Sequence, residues 1–309
     1  MILCVNLNAA IDKTIVVESL ELGQIHRPVS VKSLPGGKGC NVARALKQLG
    51  AEPVVTGWVG GTAGQFIDSG LQSEGIATDF VWTDLESRTC TSILDRATQV
   101  MTEFYEKGDP IPDDKLKEIL DHFGDVVGNY EAVTLSGSLP PGVPADFYAH
   151  MIHLAHEAAV PVLLDSSGEA LSQGIVARPT LTKPNEIEVA ILSQRPLSNL
   201  AQYAAAAGEV ARRNGTIVVL SLGSEGALVA SGNDTFQVRN PQVEAVSAVG
   251  SGDCMLAGLA YGLARDIPLP EAVKIGVAAG TANTLVIGAG QFTQDDYEEV
   301  LAAIEIVPI

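Results

Sequence analysis

The stretch Ser247–Gly258, SAVGSGDCMLAG, places an Asp directly behind Gly-Ser-Gly, at the point where an apolar helical pattern begins. A glycine-rich turn that opens a helix presents backbone N–H groups at the positive end of the helix dipole, and so holds an anion. Asp253 is itself an anion. Read locally, it is equally an ordinary helix N-cap. Read chemically, a carboxylate beside an amide cradle takes the proton from an attacking hydroxyl. The amides of Gly250, Ser251 and Gly252 then stabilise charge on a phosphoryl group in flight.

Working outward from this turn, short β-branched runs recur: PVVTGWV (53–59), EAVTLSG (131–137), VPVLLDSS (160–167) and TIVVLSLG (216–223). Each is closed by Gly, Ser or Asp and reads as a strand. Between them NVARALKQLG (41–50), ADFYAHMIHLAHEA (145–158) and LAQYAAAAGEVARRNG (200–215) carry helical periodicity. Alternating strands and helices imply an α/β fold with a mostly parallel sheet covered on both faces. Ligands of such sheets bind beyond the carboxyl ends of the strands. Residues 12–34 and 88–107 break the rhythm and read as β-hairpin material. They form either a small separate sheet flapping over the strand ends or edge strands of the main one.

With 309 residues the chain is long enough for one large α/β domain or two ordinary ones. The balance of 19 basic against 37 acidic residues argues against nucleic acid or an anionic membrane as partner. Cys4, Cys40, Cys90 and Cys254 are scattered without a CxxC pair, so neither a disulfide framework nor a zinc site is expected, and a reducing compartment is the default. MILCVNLNAAID lacks a basic leader region and reads as a first strand. The apolar window Gly276–Gly290 is short and rich in small residues, which fits a buried helix better than a membrane span. A soluble cytoplasmic protein is expected.

A second motif, Pro35-Gly-Gly-Lys-Gly-Cys-Asn41, is neither a GxxxxGK[ST] phosphate loop nor a GxGxxG fingerprint. Its glycines let a ligand approach the backbone, and Asn41 offers a donor and an acceptor to sugar hydroxyls. The pair GGKGCNVARALKQLG and SAVGSGDCMLAG resembles the N- and C-terminal signatures of the ribokinase/phosphofructokinase-B family of sugar kinases. SGSLPPG (136–142), LLDSSGEAL (163–171), KPNEIE (183–188) and SLGSEGAL (221–228) meet the family pattern between them, in order. Within the family the chain is most similar to the phosphohexose branch of 1-phosphofructokinases and tagatose-6-phosphate kinases.

The resemblance implies a ribokinase-like three-layer α/β/α sandwich over residues 1–309, with residues 12–34 and 88–107 as a β-sheet lid. It implies a transferase of carbohydrate metabolism that uses ATP and Mg2+ to turn fructose 1-phosphate or tagatose 6-phosphate into the bisphosphate. Asp253 would be the catalytic base, with Gly250, Ser251 and Gly252 as anion hole. Asp12, Gly37, Lys38, Asn41 and Ser138 would bind the sugar. Arg88, in SRTC, resembles the arginine that grips the substrate phosphate, a role suited to a guanidinium fork. Lys183, Asn185, Glu188, Ser221, Gly223, Gly226 and Asn283 would serve ATP, with Glu188 holding magnesium through water. A monovalent cation bound by carbonyls of Ser247–Val249 and Val286–Gly288, and a homodimer paired through the lid, follow by analogy. His26 and Arg27 read as surface turn residues. The chain departs from the branch at Ala9, where a proline is usual, and at Cys254, where Ser or Thr is usual. It also departs at Gln24, where some relatives carry a basic residue. The rival readings are a kinase for fructose 6-phosphate, a free sugar or a nucleoside, and a non-catalytic sugar-phosphate sensor.

Overall fold

The computed structural model describes residues 1–309. In chain order the first half runs β1 (Ile2–Val5), β2 (Ala10–Val17), β3 (Ser30–Gly36), α1 (Lys38–Gln48), β4 (Pro53–Thr56), β5 (Trp58–Gly60), α2 (Gly61–Ser73), β6 (Ala77–Thr78), β7 (Val81–Thr83), β8 (Arg88–Asp95), β9 (Met101–Tyr105), α3 (Asp113–Val126) and β10 (Ala132–Ser136). The second half continues α4 (Phe147–Glu157), β11 (Val162–Asp165), α5 (Gly168–Gly174), β12 (Leu181–Thr182), α6 (Glu186–Leu192), α7 (Leu200–Asn214), β13 (Ile217–Ser221), β14 (Ala227–Ser231), β15 (Asp234–Arg239), α8 (Ser251–Leu263), α9 (Leu269–Thr284), α10 (Gln294–Ala303) and β16 (Glu305–Pro308).

A ten-stranded sheet has the order β16-β15-β14-β13-β12-β11-β10-β1-β4-β6. It is parallel from β13 to β6 and antiparallel from β13 to β16. Side chains alternate between its faces, as the strand period of two requires. Ile2 and Cys4 of β1 enter one apolar core with Leu46, Ile67, Leu256 and Val277. Leu3 and Val5 enter the other with Phe123, Tyr148, Met151 and Val210. Two cores on opposite faces make the three-layer sandwich. The chain runs outward from β1 through β4 to β6, then returns to β10 and runs the other way. Its direction therefore reverses between β1 and β10, and the crevice outside their carboxyl ends is where such sheets bind ligands.

The segments outside this rhythm form a four-stranded sheet of their own, ordered β3-β2-β8-β9, which shares no strand with the main sheet. β2 and β8 pair in parallel, while β3 and β9 flank them antiparallel. Val31, Met101, Phe104 and Tyr105 stay exposed on it. β3 runs through Gly36 and Gly37 directly into α1, so the small sheet is tied to the crevice by two residues.

Helix α8 packs on α9 through glycines: a Cβ on Gly258 would lie 2.5 Å from the Gly276 Cα and 2.9 Å from the Ile275 carbonyl carbon. The expected helix over residues 276–290 is shorter than its apolar composition implies. α9 stops at Thr284, and Gly288 and Gly290 adopt left-handed φ values of 137° and 73° in the loop that follows. No helix is long and apolar enough to cross a membrane.

Because the obstacle at Gly258 is backbone, Gly258→Ala must push α8 from α9, a strain of about 1–3 kcal/mol. The melting temperature should fall clearly. At Gly128, where a Cβ would only touch Ala158 at 3.9 Å, the same change should leave it nearly unmoved.

Candidate active site

Asp253 sits in the first turn of α8 with 6% exposure. Gly250 opens that helix at φ 85°, and a Cβ there would lie 2.6 Å from the Ala289 Cα. Only glycine fits both conditions. The N–H groups of Gly250, Gly252 and Asp253 take no backbone or side-chain acceptor, whereas the Ser251 N–H donates to the Ala248 carbonyl at 3.2 Å. The free amides are thus those of residues 250, 252 and 253. Ser251 is spent inside the turn, a correction to its expected place in the anion hole.

One Asp253 carboxylate oxygen accepts from Asn41 Nδ2 at 2.8 Å. Burial pushes the Asp253 carboxyl up to about 6, against the opposing pull of Lys38, with Asp165 adding to the rise and Asn41 and Lys183 resisting it. Asp165 closes β11 beside Ser136 of β10 and is 2% exposed. Lys38 Nζ lies 3.4 Å from both of its oxygens, and Lys183 Nζ 3.3 Å from Oδ2. Burial alone would raise the Asp165 carboxyl, but the charges and hydrogen bonds of Lys183 and Lys38 together hold it below the ordinary carboxylate range. Asp165 in return, then Asp253 and Glu188, raise the Lys38 ammonium despite burial. A Cβ on Gly252 would lie 3.4 Å from Lys183 Nζ, so the lysine stands against the amide cradle.

The other wall of the crevice belongs to the small sheet. The Asp12 carboxylate lies over Gly36, whose missing side chain leaves the room, and accepts from the Gly37 backbone. Burial raises its carboxyl, with the Gly37 hydrogen bond and the charges of Arg44 and Arg88 opposing. Gly37 has φ 98°, and a Cβ there would lie 2.5 Å from Asn6 Oδ1. Asn8 Nδ2 donates to Ser138 Oγ at 3.1 Å, joining the ends of β1 and β10 across the reversal point. Arg88 donates to the Asn8 carbonyl from Nε at 3.3 Å and Nη2 at 3.1 Å, and to the Glu106 carbonyl from Nη1 at 2.9 Å. Neutral carbonyls steer the guanidinium without cancelling its charge, and the rest of its fork stays available. His26 instead closes a local turn on the Glu21 backbone, and Arg27 is exposed.

On the far side of α8 a cavity of about 280 Å³ is lined by Ser221, Gly223, Ser224, Asn240, Ser251, Gly252, Thr281 and Thr284. That is the scale of a small-ligand pocket. Asn185 and Glu188 form a reciprocal capping box on α6: Asn185 Oδ1 accepts from the Glu188 N–H, and Glu188 Oε2 from the Asn185 N–H, both at 2.9 Å. Of the seven expected nucleotide residues, Ser221 and Gly223 line the cavity, whereas Lys183, Asn185, Glu188, Gly226 and Asn283 do not. Gly226, at φ 87°, is packed against the Val238 carbonyl of β15, and its role is the turn before β14. Asn283 is fully buried and donates to the Gly288 carbonyl at 2.8 Å and the Gln291 carbonyl at 2.6 Å. It holds the loop behind the cradle, out of reach of a purine edge. Cys254 is likewise buried, and burial pushes its thiol well up, which leaves it inert.

Three residues of the site were missed from sequence. Asp165 looked like a strand terminator within LLDSSGEAL. Asn6 donates from its buried amide to the Gly36 carbonyl and Cys40 Sγ, both at 3.1 Å, beneath the glycine run. Arg44, 6% exposed, sits one helical turn after Asn41 in what read as an amphipathic helix. A lone cation on the apolar side of α1 was the signal available.

A profile of the pfkB family carbohydrate kinases matches residues 3–296. The tagatose-6-phosphate kinase of Staphylococcus epidermidis is 31% identical over 312 residues, covering 100% of both chains. Phosphofructokinase-2 from Escherichia coli, solved in complex with fructose-6-phosphate, superposes with a TM-score of 0.89 at 30% identity over 98% of each chain. A ribokinase from Arabidopsis thaliana, complexed with ribose and ATP, shares the fold with a TM-score of 0.79 at 21% identity, covering 97% of this chain and 98% of that one. The sandwich is ribokinase-like, and with the profile running through the crevice residues from Asn6 to Gly290, this chain belongs to the pfkB family of carbohydrate kinases.

Proposed function

We propose that this protein transfers the γ-phosphoryl group of ATP to a hydroxyl of a hexose phosphate, with tagatose 6-phosphate or fructose 1-phosphate as substrate and the bisphosphate as product. The observation that carries the reading is the convergence of a buried carboxylate, free helix-start amides and paired lysines between the cavity of about 280 Å³ and the crevice walled by the small sheet. Asp253 takes the hydroxyl proton. The sugar oxygen forms a bond to the γ-phosphorus as the bond to the β-phosphate oxygen breaks, and ADP leaves. A carboxyl at about 6 is ionised at neutral pH, yet a stronger proton acceptor than an ordinary aspartate. Lys38, Lys183 and the amides of Gly250 and Gly252 balance charge on the moving group.

Magnesium fits this donor set. It prefers oxygen, keeps several waters and usually needs only one or two carboxylates beside the nucleotide phosphates. Glu188, with one carboxylate oxygen outside its capping bond, and Asp165 would hold its waters; the ion supplies neutralisation of phosphate charge. Asp12, Asn41 and Gly37 would orient the sugar, and the cavity edged by Ser221 and Gly223 would take the nucleotide. Arg88 would grip the phosphate already on the sugar. The sensor reading is weaker, because a sensor gains nothing from a carboxylate held out of water.

The small sheet would act as lid and as dimer contact, its exposed Val31, Phe104 and Tyr105 being covered by a second copy. Sedimentation should show a dimer that Phe104→Lys weakens; a wild-type monomer at micromolar concentration would remove the idea.

ADP release with MgATP should be confined to phosphorylated hexoses in a panel of tagatose 6-phosphate, fructose 1-phosphate, fructose 6-phosphate, fructose, ribose and adenosine. Arg88→Ala should raise KM for the preferred sugar phosphate by about 10–100-fold, the loss of a charge-assisted bond of roughly 1.5–3 kcal/mol. Turnover of unphosphorylated sugars alone would refute the substrate class.

Asp253→Asn should abolish turnover while sugar binding persists. Its stability should change in the opposite sense. A carboxyl raised from 3.8 to about 6 destabilises the fold by about 3 kcal/mol once ionised. That deficit is absent below pH 3.8, grows as pH rises to about 6 and is complete above it. The variant should therefore melt higher than wild type at pH 8 and lose this advantage toward pH 4. Retained turnover would show that the base is another group.

A further inference from the structure

The buried Arg44 has no part in the proposed reaction, yet one of its polar contacts leads through Asn41 to the base. Its Nε donates to Glu74 Oε2 at 2.6 Å and its Nη2 to Oε1 at 3.0 Å, a two-pronged ion pair. Nη2 also donates to the Pro35 carbonyl at 2.6 Å, at the end of β3. Nη1 donates to Asn41 Oδ1 at 3.2 Å, and Asn41 Nδ2 in turn donates to Asp253.

The chemistry of these groups permits one arrangement. A guanidinium only donates and a carboxylate only accepts, whereas a carboxamide has one end of each kind. With Arg44 held by Glu74 and Pro35, the Asn41 oxygen must face Arg44 and its amino group must face Asp253. Without that cation the carboxamide is free to turn over, presenting its oxygen to the carboxylate. A burial this deep is expensive for a guanidinium whose only use is packing.

We propose that Arg44 is a positioning residue for the base, fixing the orientation of the Asn41 carboxamide so that Asp253 always receives a hydrogen bond. This rests on the reading of Asp253 as the base. The groups that face Asp253 are Lys38 and Asn41 from α1, Asp165 from the end of β11 and Lys183 from the segment after β12. Arg44 acts on it through Asn41. It also acts on Asp12 by charge, an effect that belongs to sugar binding.

The test is the pH dependence of the single-turnover rate with sugar phosphate and MgATP saturating, so that changes at Asp12 fall into KM. The wild-type rate should decline below the ionisation of Asp253. The substrate phosphate also titrates near pH 6, but identically in every variant. In Arg44→Met the acid limb should move to higher pH by roughly half to one unit, the worth of one hydrogen bond to the charged form. The rate should recover toward wild type at pH 8. Glu74→Gln, which loosens the anchor of Arg44 and leaves the arginine in place, should move the limb the same way by less, and it decides alone if Arg44→Met does not fold. Lower rates with an unmoved limb in the folded variants would overturn the proposal and leave Arg44 a strut. A wild type with no acid limb, together with an active Asp253→Asn, would instead remove the base and this role with it.

Discussion

A carboxylate kept out of water is costly unless charge and hydrogen bonds answer it, and Asp253 is answered only in part. Asn41 donates to it, and Lys38 and Lys183 stand near. Both lysines are shared with Asp165, which lies closer to them and keeps its own charge because of them. Two cations and two anions make a cluster of no net charge, and within it burial prevails at Asp253. Remove Asp165 and the lysines would turn wholly on Asp253, holding it nearer an ordinary, weakly basic carboxylate. Remove the lysines and burial would push it higher still. The middle value depends on the sharing.

The fold supplies this arrangement through strand ends and glycines. Asp165 is delivered by β11, Lys183 by the exit of β12, and Lys38 by the first residue of α1. The first two belong to the carboxyl-terminal edge of the parallel strands, and Lys38 meets them there from the end of the small sheet. Asp253 comes from the other direction, carried by α8, whose depth is set by its close packing on α9. The loop after α9 finishes the cradle. Gln48 of α1 donates to the Gly290 carbonyl at 2.8 Å and accepts from the Phe292 N–H at 2.9 Å, while Asn283 holds Gly288 from behind. That loop presses Ala289 against Gly250, which is why the turn must be glycine.

Elements with a local cause were legible in the sequence. The β-branched runs closed by Gly, Ser or Asp became the parallel strands, and the GSGD turn opened a helix because glycine at positive φ and an Asp in the first turn are short-range preferences. What was not legible is partner choice across long separations. Lys38 was visible as a cation in a glycine run, but nothing nearby says that its partner is Asp165, 127 residues on. Asn283 was expected at the nucleotide only because the family resemblance implied it. What it serves is a pair of carbonyls, of Gly288 and Gln291, in the loop that follows its own helix. Gly226 fell within a true family pattern, yet its geometry answers to the β15 backbone. The Ser251 amide differs from its neighbours only by the curl of the turn toward Ala248, a matter of backbone angles that residue type does not encode.

The charge balance has its own logic. A chain of net charge −18 repels the anions it would bind, and the cluster around Asp253 offers no net attraction. At physiological salt, fields beyond about 8 Å are largely screened, so the distant carboxylates matter little once a ligand is in the crevice. Local attraction then has to come from groups not already neutralised by a carboxylate. Arg44 is excluded, since Glu74 answers it. Arg88 remains, steered by neutral carbonyls, together with the free amides of Gly250, Gly252 and Asp253. These groups sit on opposite sides of the crevice, the arginine on the small sheet and the amides on α8. Two separate anion-attracting poles with a basic carboxylate beside one of them are what a substrate phosphorylated at one end and reacting at the other requires. On the proposed reading, a substrate lacking the first phosphate would leave the Arg88 pole unused.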